Sequence, residues 1–316
     1  MSSAPESLAP LAPIALFAYK RPAHLRRAID SLARNPLAAR SALVVFCDGP
    51  RDDAAREGVD AVRALARGIP GFASVEVVER ERNMGLAASI TDGVGRLMRE
   101  HGRAIVLEDD LVVAPRFLEF MNAALDRYRD DGQVMQVSGY MYPCELPADG
   151  GSGFLPSISC WGWASWARAW RHYDPTLASW DALRADAARL REFNMDGAYD
   201  YAAMLERQRA GELDSWGVIW YLSVFAKRGL VLYPAASLVS NTGFDGSGTH
   251  ADGRDDDDLG AVALWNGGEP FRFPGTLAVD GDYYGQSRRV IMGAQSSRAT
   301  RGWRKGMAWL KDVIRR

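Results

Sequence analysis

Along the first third of the chain, apolar residues come in short runs separated by amphipathic stretches. Residues 13–19 (PIALFAY), 42–47, 75–78 and 104–107 read as strands, being short, apolar and rich in β-branched or aromatic side chains. Between them, residues 22–35 place Leu25, Ile29 and Leu32 at helical spacing. Residues 53–67 predict a second helix, and residues 86–100 a third, carrying Leu86, Ile90, Val94 and Leu97. Regular strand–helix alternation predicts an α/β fold with a mostly parallel central sheet flanked by helices. Such sheets bind ligands beyond the carboxyl ends of their strands.

The polar residues gather at those ends. The first strand runs into Lys20-Arg21 and the second into Asp48-Gly49. The third leads to Arg80, Arg82, Asn83 and Gly85, and the fourth stops at Glu108-Asp109-Asp110. Three adjacent carboxylates repel one another, and a divalent cation carrying an anionic ligand is an economical compensation, because hard cations prefer carboxylate oxygen. A solvated acidic turn is the plain alternative.

The second half is less regular. Residues 145–156 read as a Gly/Pro-rich loop, and residues 159–170 (SCWGWASWARAW) hold four tryptophans. Residues 182–210 read as helical and charged, 213–224 as aromatic and apolar around Asp214, and 230–234 as a strand. Residues 241–254 are Gly-rich and polar, ahead of the acid run Asp255 to Asp258, which reads as a solvated segment.

Composition narrows the class. The chain has 316 residues, 47% hydrophobic and 25% charged, which is ordinary for a globular protein. A net charge of -2 gives no nucleic-acid signature. Cys47, Cys144 and Cys160 lack CxxC spacing, which speaks against a disulfide framework or zinc site and for a reducing compartment. Neither a secretory leader nor a membrane-spanning apolar stretch is evident, so a cytoplasmic location is expected.

The strand ending in Arg21, the strand ending in Asp48, Asn-x-Gly at 83–85 and Glu-Asp-Asp at 108–110 follow one another in an order that resembles GT-A glycosyltransferases. The run VLEDDLVVAPRFLEF is especially similar to the N-acetylglucosaminyltransferase I type and to bacterial family-2-like sugar transferases. The resemblance is good over residues 13–140 and looser to about residue 250. It implies a GT-A (Rossmann-like) fold with a nucleotide-sugar-binding half at 13–140, after a loose lead at 1–12. A smaller mixed acceptor-binding half would cover 141–285, and a basic tail 286–316. It further implies transfer of a sugar from a nucleotide-sugar, in the first instance a UDP-sugar, to a glycan or glycolipid hydroxyl, as in bacterial surface polysaccharide synthesis. By position, Asp110 would hold Mn2+ or Mg2+. Asp109 and Glu108 would touch the donor's sugar or ribose, or shape the metal's surroundings. Asp48 would accept a hydrogen bond from uracil or ribose, Arg21 would lie near the nucleotide, and Asn83 and Gly85 would let backbone approach the diphosphate at a helix start.

An inverting transferase also needs a base for the acceptor hydroxyl. The resembling family carries a Trp-Asp-Asp-Trp segment whose first acid is that base; here Glu-Leu-Asp-Ser-Trp (212–216) keeps Asp214 and Trp216, with Leu213 and Ser215 replacing the other two. Apolar neighbours would raise the pKa of Asp214; the alternative role is a helix N-cap. The stretch from Cys160 to Trp166 is similar to the Trp-Gly-Trp element of galactosyltransferases without its terminal Glu-Asp, which leaves Asp214 as the expected base ahead of Asp174 and Asp181. Trp161, Trp163 and Trp216 are candidate acceptor contacts, against ordinary core packing. Residues 243–250 read as a lid in which Ser247 and His250 would reach the diphosphate or metal, against a solvated loop.

The tail from Arg298 to Arg316 interleaves basic residues with Trp303, Met307, Trp309, Leu310, Val313 and Ile314. That pattern suits peripheral contact with a membrane, a helix packed on its own domain, or a disordered tail. Two other functions fit parts of the sequence. A sugar-phosphate nucleotidyltransferase would need an early Gly-rich loop, and residues 13–22 contain no glycine. A non-catalytic glycan-binding protein would use the tryptophans without nucleotide or metal.

Overall fold

The computed structural model describes residues 10–244 and 257–296, with the side chains of 257 and 258 left aside. An eight-stranded sheet forms its centre, in the order β3-β2-β1-β4-β8-β6-β9-β7. The predicted strands appear as β1 (Ile14–Ala18), β2 (Ala42–Cys47), β3 (Ser74–Glu79) and β4 (Arg103–Glu108). All of their pairings are parallel, so their carboxyl ends share one edge. Between them run α1 (Pro22–Ala33), α2 (Arg56–Arg67, entered through a 3-10 turn at Asp53–Ala55) and α3 (Leu86–His101).

Alternation along the strands divides the core in two. Ile14, Leu16, Leu43, Val45, Ile105 and Leu107 face the side covered by α1 and α2. Ala15, Phe17, Val44, Phe46, Ala104 and Val106 face the side covered by α3. Phe17 and Phe46 stack at 4.9 Å, and Gly93 of α3 lies so close above them that a Cβ there would come within 2.8 Å of the Phe17 ring.

After β4 the chain makes a short strand β5 (Leu111–Val113), helix α4 (Phe117–Arg127) and β6 (Val134–Ser138). Buried polar side chains staple this stretch to its neighbours. Ser31 accepts from the Val113 N–H at 3.0 Å, Asn35 from Leu118 at 2.9 Å, and Asn122 from Ala12 at 2.9 Å. The supposed loop at 145–156 contains strand β7 (Ser152–Leu155), paired with the sheet's last parallel strand β9 (Leu230–Pro234). The four-tryptophan segment is strand β8 (Trp163–Trp166) and a single helical turn, α5 (Ala167–Trp170). It runs antiparallel to β4 and β6, which makes the second half of the sheet mixed.

The charged stretch at 182–210 is broken into α6 (Trp180–Ala185), α7 (Ala187–Phe193) and α8 (Tyr201–Arg209). Helix α9 (Trp216–Ala226) is apolar on every side and almost fully buried, as a central helix must be. Strand β10 (Val239–Asn241) pairs antiparallel with β5 as a separate ribbon, followed by α10 (Asp257–Gly260) and a helix over residues 281–296. Among the described residues no helix is long and apolar enough to cross a membrane.

Phe46 is fully buried at the centre of the α3-side core. Phe46→Ala is expected to lower the unfolding free energy by about 3–5 kcal/mol, read by urea denaturation, as for other buried aromatic truncations.

Candidate functional site

The parallel edge brings the tips of β1, β2, β3 and β4 together, and with them Arg21, Asp48, Asn83, Gly85 and the acid triplet. Asp109 is 3% exposed and lies under the end of β1, where the Tyr19 N–H points to its Oδ2 at 3.4 Å. The Arg21 guanidinium, at the start of α1, pairs with Asp109 and donates to Asp110 Oδ2 at 2.8 Å. Burial disfavours the charge on Arg21, but Asp109 and Asp110 outweigh that and raise its pKa.

Among the described residues, Arg21 is the cation paired with these acids, and one guanidinium does not balance three. Burial pushes the Asp109 carboxyl up to about 6 against the pull of Arg21. Glu108 rises to about 8, through burial first and repulsion from Asp110 and Asp109 next. The triplet therefore carries unmet negative charge, which is the electrostatic signature expected where a cation or protonated ligand is to be held.

Asp48 is buried and serves the loop after β3. Its Oδ1 accepts from the Gly49 N–H (2.9 Å) and Met84 N–H (2.8 Å), and its Oδ2 from Asn83 Nδ2 (3.0 Å) and the Gly85 N–H (3.1 Å). Four protein donors engage this carboxylate, so a nucleotide contact through Asp48 requires exchange of one of them. Asn83 also donates to the Gly49 carbonyl at 3.0 Å. Gly85 sits at φ 79, ψ 161, a conformation reserved for glycine, and starts α3 without a side-chain cap. The first N–H groups of α3 therefore lack the acceptor that a capping residue would provide.

Strand β10 delivers a further element to the triplet. The Thr242 N–H donates to the Asp110 carbonyl at 2.8 Å, and Gly243 packs on the Asp110 carboxylate so closely that a Cβ would meet Oδ2 at 2.3 Å. The sequence reading placed Gly243 only in a mobile loop; the N-T-G turn after a short strand was the signal for a fixed approach. Ser247 and His250, together with the rest of that proposed lid, lie outside the described residues, as does the tail from residue 297.

The tryptophans divide. Trp163 (1% exposed) and Trp216 (4%) stack on each other at 5.2 Å inside the α3-side core, with Trp170 and Tyr173 continuing the column. A buried ring has no free face for a sugar, so the expected platform role is corrected for these two. Trp161 is half-buried and touches Tyr140 (4.7 Å) and Phe244 (5.8 Å). It lines a cavity of about 320 Å3 together with Tyr142, Tyr199, Tyr201 and Ser215. The repeated tyrosine spacing in YMY (140–142) and YDY (199–201) was a legible but unread sign of that cavity.

Asp214 is exposed, not embedded among its apolar neighbours as the sequence suggested. Nor does it cap α9: Ser215 does, accepting from the Val218 N–H at 3.4 Å. Asp214 directly precedes the cavity-lining Ser215 in the chain but is not itself among the lining residues, and its charge reaches the Tyr173 phenol, which burial and then Asp214 raise to about 12. Asp174 is occupied within its own turn, accepting from Thr176 and Ala178, and Asp181 pairs with Arg184 and Arg209.

Comparison with known proteins fits this arrangement. Residues 14–145 match the model described as Glycosyl transferase family 2, a span that contains every strand-tip residue named above. No curated protein matches the chain. Among solved structures, mouse xyloside xylosyltransferase 1 in its apo form is similar at 14% identity and a TM-score of 0.36, over 70% of this chain and 85% of that one. That likeness is too distant to bear on substrate or site. The match over residues 14–145, together with the sheet architecture, supports a glycosyltransferase domain of the GT-A fold. The fold and class implied by the sequence thus hold.

The raised Glu108 pKa has a measurable consequence. The unfolded chain releases this proton near the ordinary carboxylate range, about 4, whereas the folded, ligand-free chain holds it until about 8. The group's contribution to stability is thus fully present at low pH and is lost as pH rises through about 8. Glu108→Gln is expected to gain stability relative to the parent chain steadily across that window and to gain no more above it, as measured by urea unfolding at a series of pH values.

Proposed function

We propose that the chain moves a sugar from a nucleotide-sugar, in the first instance a UDP-sugar, to a hydroxyl of a glycan or glycolipid, with inversion. One observation carries the reading: four parallel strand tips converge where Arg21 pairs with Asp109 and Asp110, with Glu108 alongside. The residues present fit a hard divalent cation, Mn2+ or Mg2+. Their donors are carboxylate oxygens and their charge is undercompensated. Among the described residues no group of three or more His, Cys, Asp or Glu forms a closed metal cage. The fit is therefore to a cation that Asp110 would hold together with ligands from outside the protein. When bound, such a cation would stabilise the charge growing on the departing nucleoside diphosphate.

The chain's own groups have distinct roles in this reading. Arg21 sustains the charge on Asp109 against burial and orients Asp110. Asp48 acts by fixing the Asn83–Gly85 turn, which presents the uncapped start of α3 to the anionic ligand. Gly243 lets backbone close on Asp110 where a side chain would displace the carboxylate. Asp214, exposed just before α9, takes the proton of the acceptor hydroxyl as its oxygen bonds to the anomeric carbon; the bond from that carbon to the phosphate oxygen breaks, and the nucleoside diphosphate leaves.

The reading favours a transferase over a nucleotidyltransferase because the β1 tip supplies Tyr19-Lys20-Arg21 rather than a glycine-rich phosphate loop. A bacterial envelope glycan or a lipid-linked acceptor is compatible with the basic tail, and a cytoplasmic site with the free cysteines.

Asp110→Asn is expected to abolish Mn2+-dependent UDP binding in calorimetry while leaving the fold intact by circular dichroism; unaltered binding overturns the site. Asp214→Asn is expected to keep UDP binding and to lower transfer about 10^2–10^4-fold, the range for loss of a general base. Transfer at the parent rate would move the base elsewhere.

A further inference from the structure

We propose that the tyrosine-walled cavity is the acceptor subsite, that it selects an uncharged sugar ring presenting an apolar C–H face, and that the helix at 281–296 is its selective wall. The proposal rests on the sugar-transfer reading above and names the substrate class of the same site.

Position comes first. Gly243 packs on Asp110, its neighbour Phe244 touches Trp161, and Trp161 lines the cavity, so an unbroken line of contact leads from the acid triplet to the cavity wall. Cys160, also in that wall, has its thiol pKa raised by burial and by the charge of Glu108. On the other side lies Ser215, directly after Asp214. The cavity is thus linked to the acid triplet through Gly243, Phe244 and Trp161, and through Ser215 to the segment that carries the proposed base.

Chemistry decides the class. No Asp, Glu, Lys, Arg or His side chain is among the described residues that line the cavity. A uronate or phosphate inside would lose its hydration with no counter-charge from the described lining residues in return. Tyr142, Trp161, Tyr199 and Tyr201, all partly exposed, bring aromatic surface suited to the C–H side of a pyranose, while Ser159, Ser215 and Gln295 bring a few polar groups for its hydroxyls. The volume of about 320 Å3 accommodates a monosaccharide and little more.

The wall is built to stay in place. Gln136 is fully buried and spans two walls, accepting from Trp220 Nε1 at 2.7 Å and donating to the Ser159 carbonyl at 2.6 Å. Tyr140 donates to the Leu259 carbonyl at 2.6 Å. The helix at 281–296 contributes Ile291, Ala294 and Gln295 and is pinned from below. Arg288 donates to the carbonyls of Met195 (2.9 Å) and Asp196 (3.2 Å), and Tyr284 to the Asp196 carboxylate (3.0 Å). Those bonds hold Met195, Asp196 and Gly197 at φ of 49, 53 and 88, three successive left-handed residues. Strain of that kind persists only where the surroundings impose it, and here it aims the chain toward Tyr199 and Tyr201 of the cavity.

The test is calorimetric titration of the full chain with 4-nitrophenyl glycosides of neutral hexoses, a deoxyhexose and an N-acetylhexosamine, and with the matching glucuronide. At least one neutral glycoside is expected to bind at least tenfold more tightly than the glucuronide, without nucleotide or metal. Ala294→Trp, which fills the cavity from the helix side, is expected to weaken that binding at least tenfold and to leave Mn2+-dependent UDP binding unchanged. Gln295→Ala, which removes one polar contact at the surface, is expected to weaken it about fivefold, the worth of one hydrogen bond. Binding by none of the neutral glycosides, a glucuronide that binds as well, or an Ala294→Trp chain that binds as before would each overturn the proposal. Loss of UDP binding in the parent chain would strike the donor reading instead, so the two failures are separable.

Discussion

Three carboxylates against one guanidinium is the constraint on which this molecule turns. Chain connectivity forces Glu108, Asp109 and Asp110 together at the end of β4, with Glu108 partly and Asp109 almost wholly withdrawn from water. Arg21 relieves Asp109 and Asp110 but leaves Glu108 protonated well into the neutral range. A purely structural turn would gain by losing one of these acids, since an uncompensated buried charge costs several kcal/mol (order of magnitude). Their presence makes sense if a ligand brings the missing positive charge, which in the proposed reading is a divalent cation bound with the nucleotide.

The rest of the fold serves that charge. Parallel pairing of β1 to β4 places the four tips on one edge, and Asp48 spends its whole carboxylate on shaping the loop before α3. The mixed half of the sheet then builds the cavity beside the crevice. Strand β8 turns antiparallel to β4, so Cys160 and Trp161 arrive next to the triplet rather than on a distant edge. Buried Gln136 ties that segment to α9, whose first turn carries Ser215 and Gly217 into the same wall.

The first half was readable because its signals are local. Strands β1 to β4 are short apolar runs, α1 and α3 have clean helical spacing, and the ligand edge follows from parallel alternation. Residues after the triplet were harder. Strand β5 is three residues long and exists through its pairing with β10, more than a hundred positions away, which no local pattern announces. Strand β7 hides in a Gly-rich stretch because its partner β9 supplies the order. Asp214 had the right apolar neighbours in sequence, but the start of α9 turns Trp216 inward and leaves the acid outside, so adjacency misled about burial. Trp163 and Trp161 are two residues apart and on opposite sides of a tight turn at Gly162, which is why one is core and the other a cavity wall. The cavity joins segments from six parts of the chain, and its tyrosines carried only a faint alternating mark.

The most direct test of the central claim is electron paramagnetic resonance of Mn2+ titrated into the chain with and without UDP. The account predicts that UDP draws the free-ion signal down sharply, because Asp110 and the diphosphate hold the cation jointly, and that Mn2+ alone binds weakly. A free-ion signal that UDP leaves unchanged would contradict it.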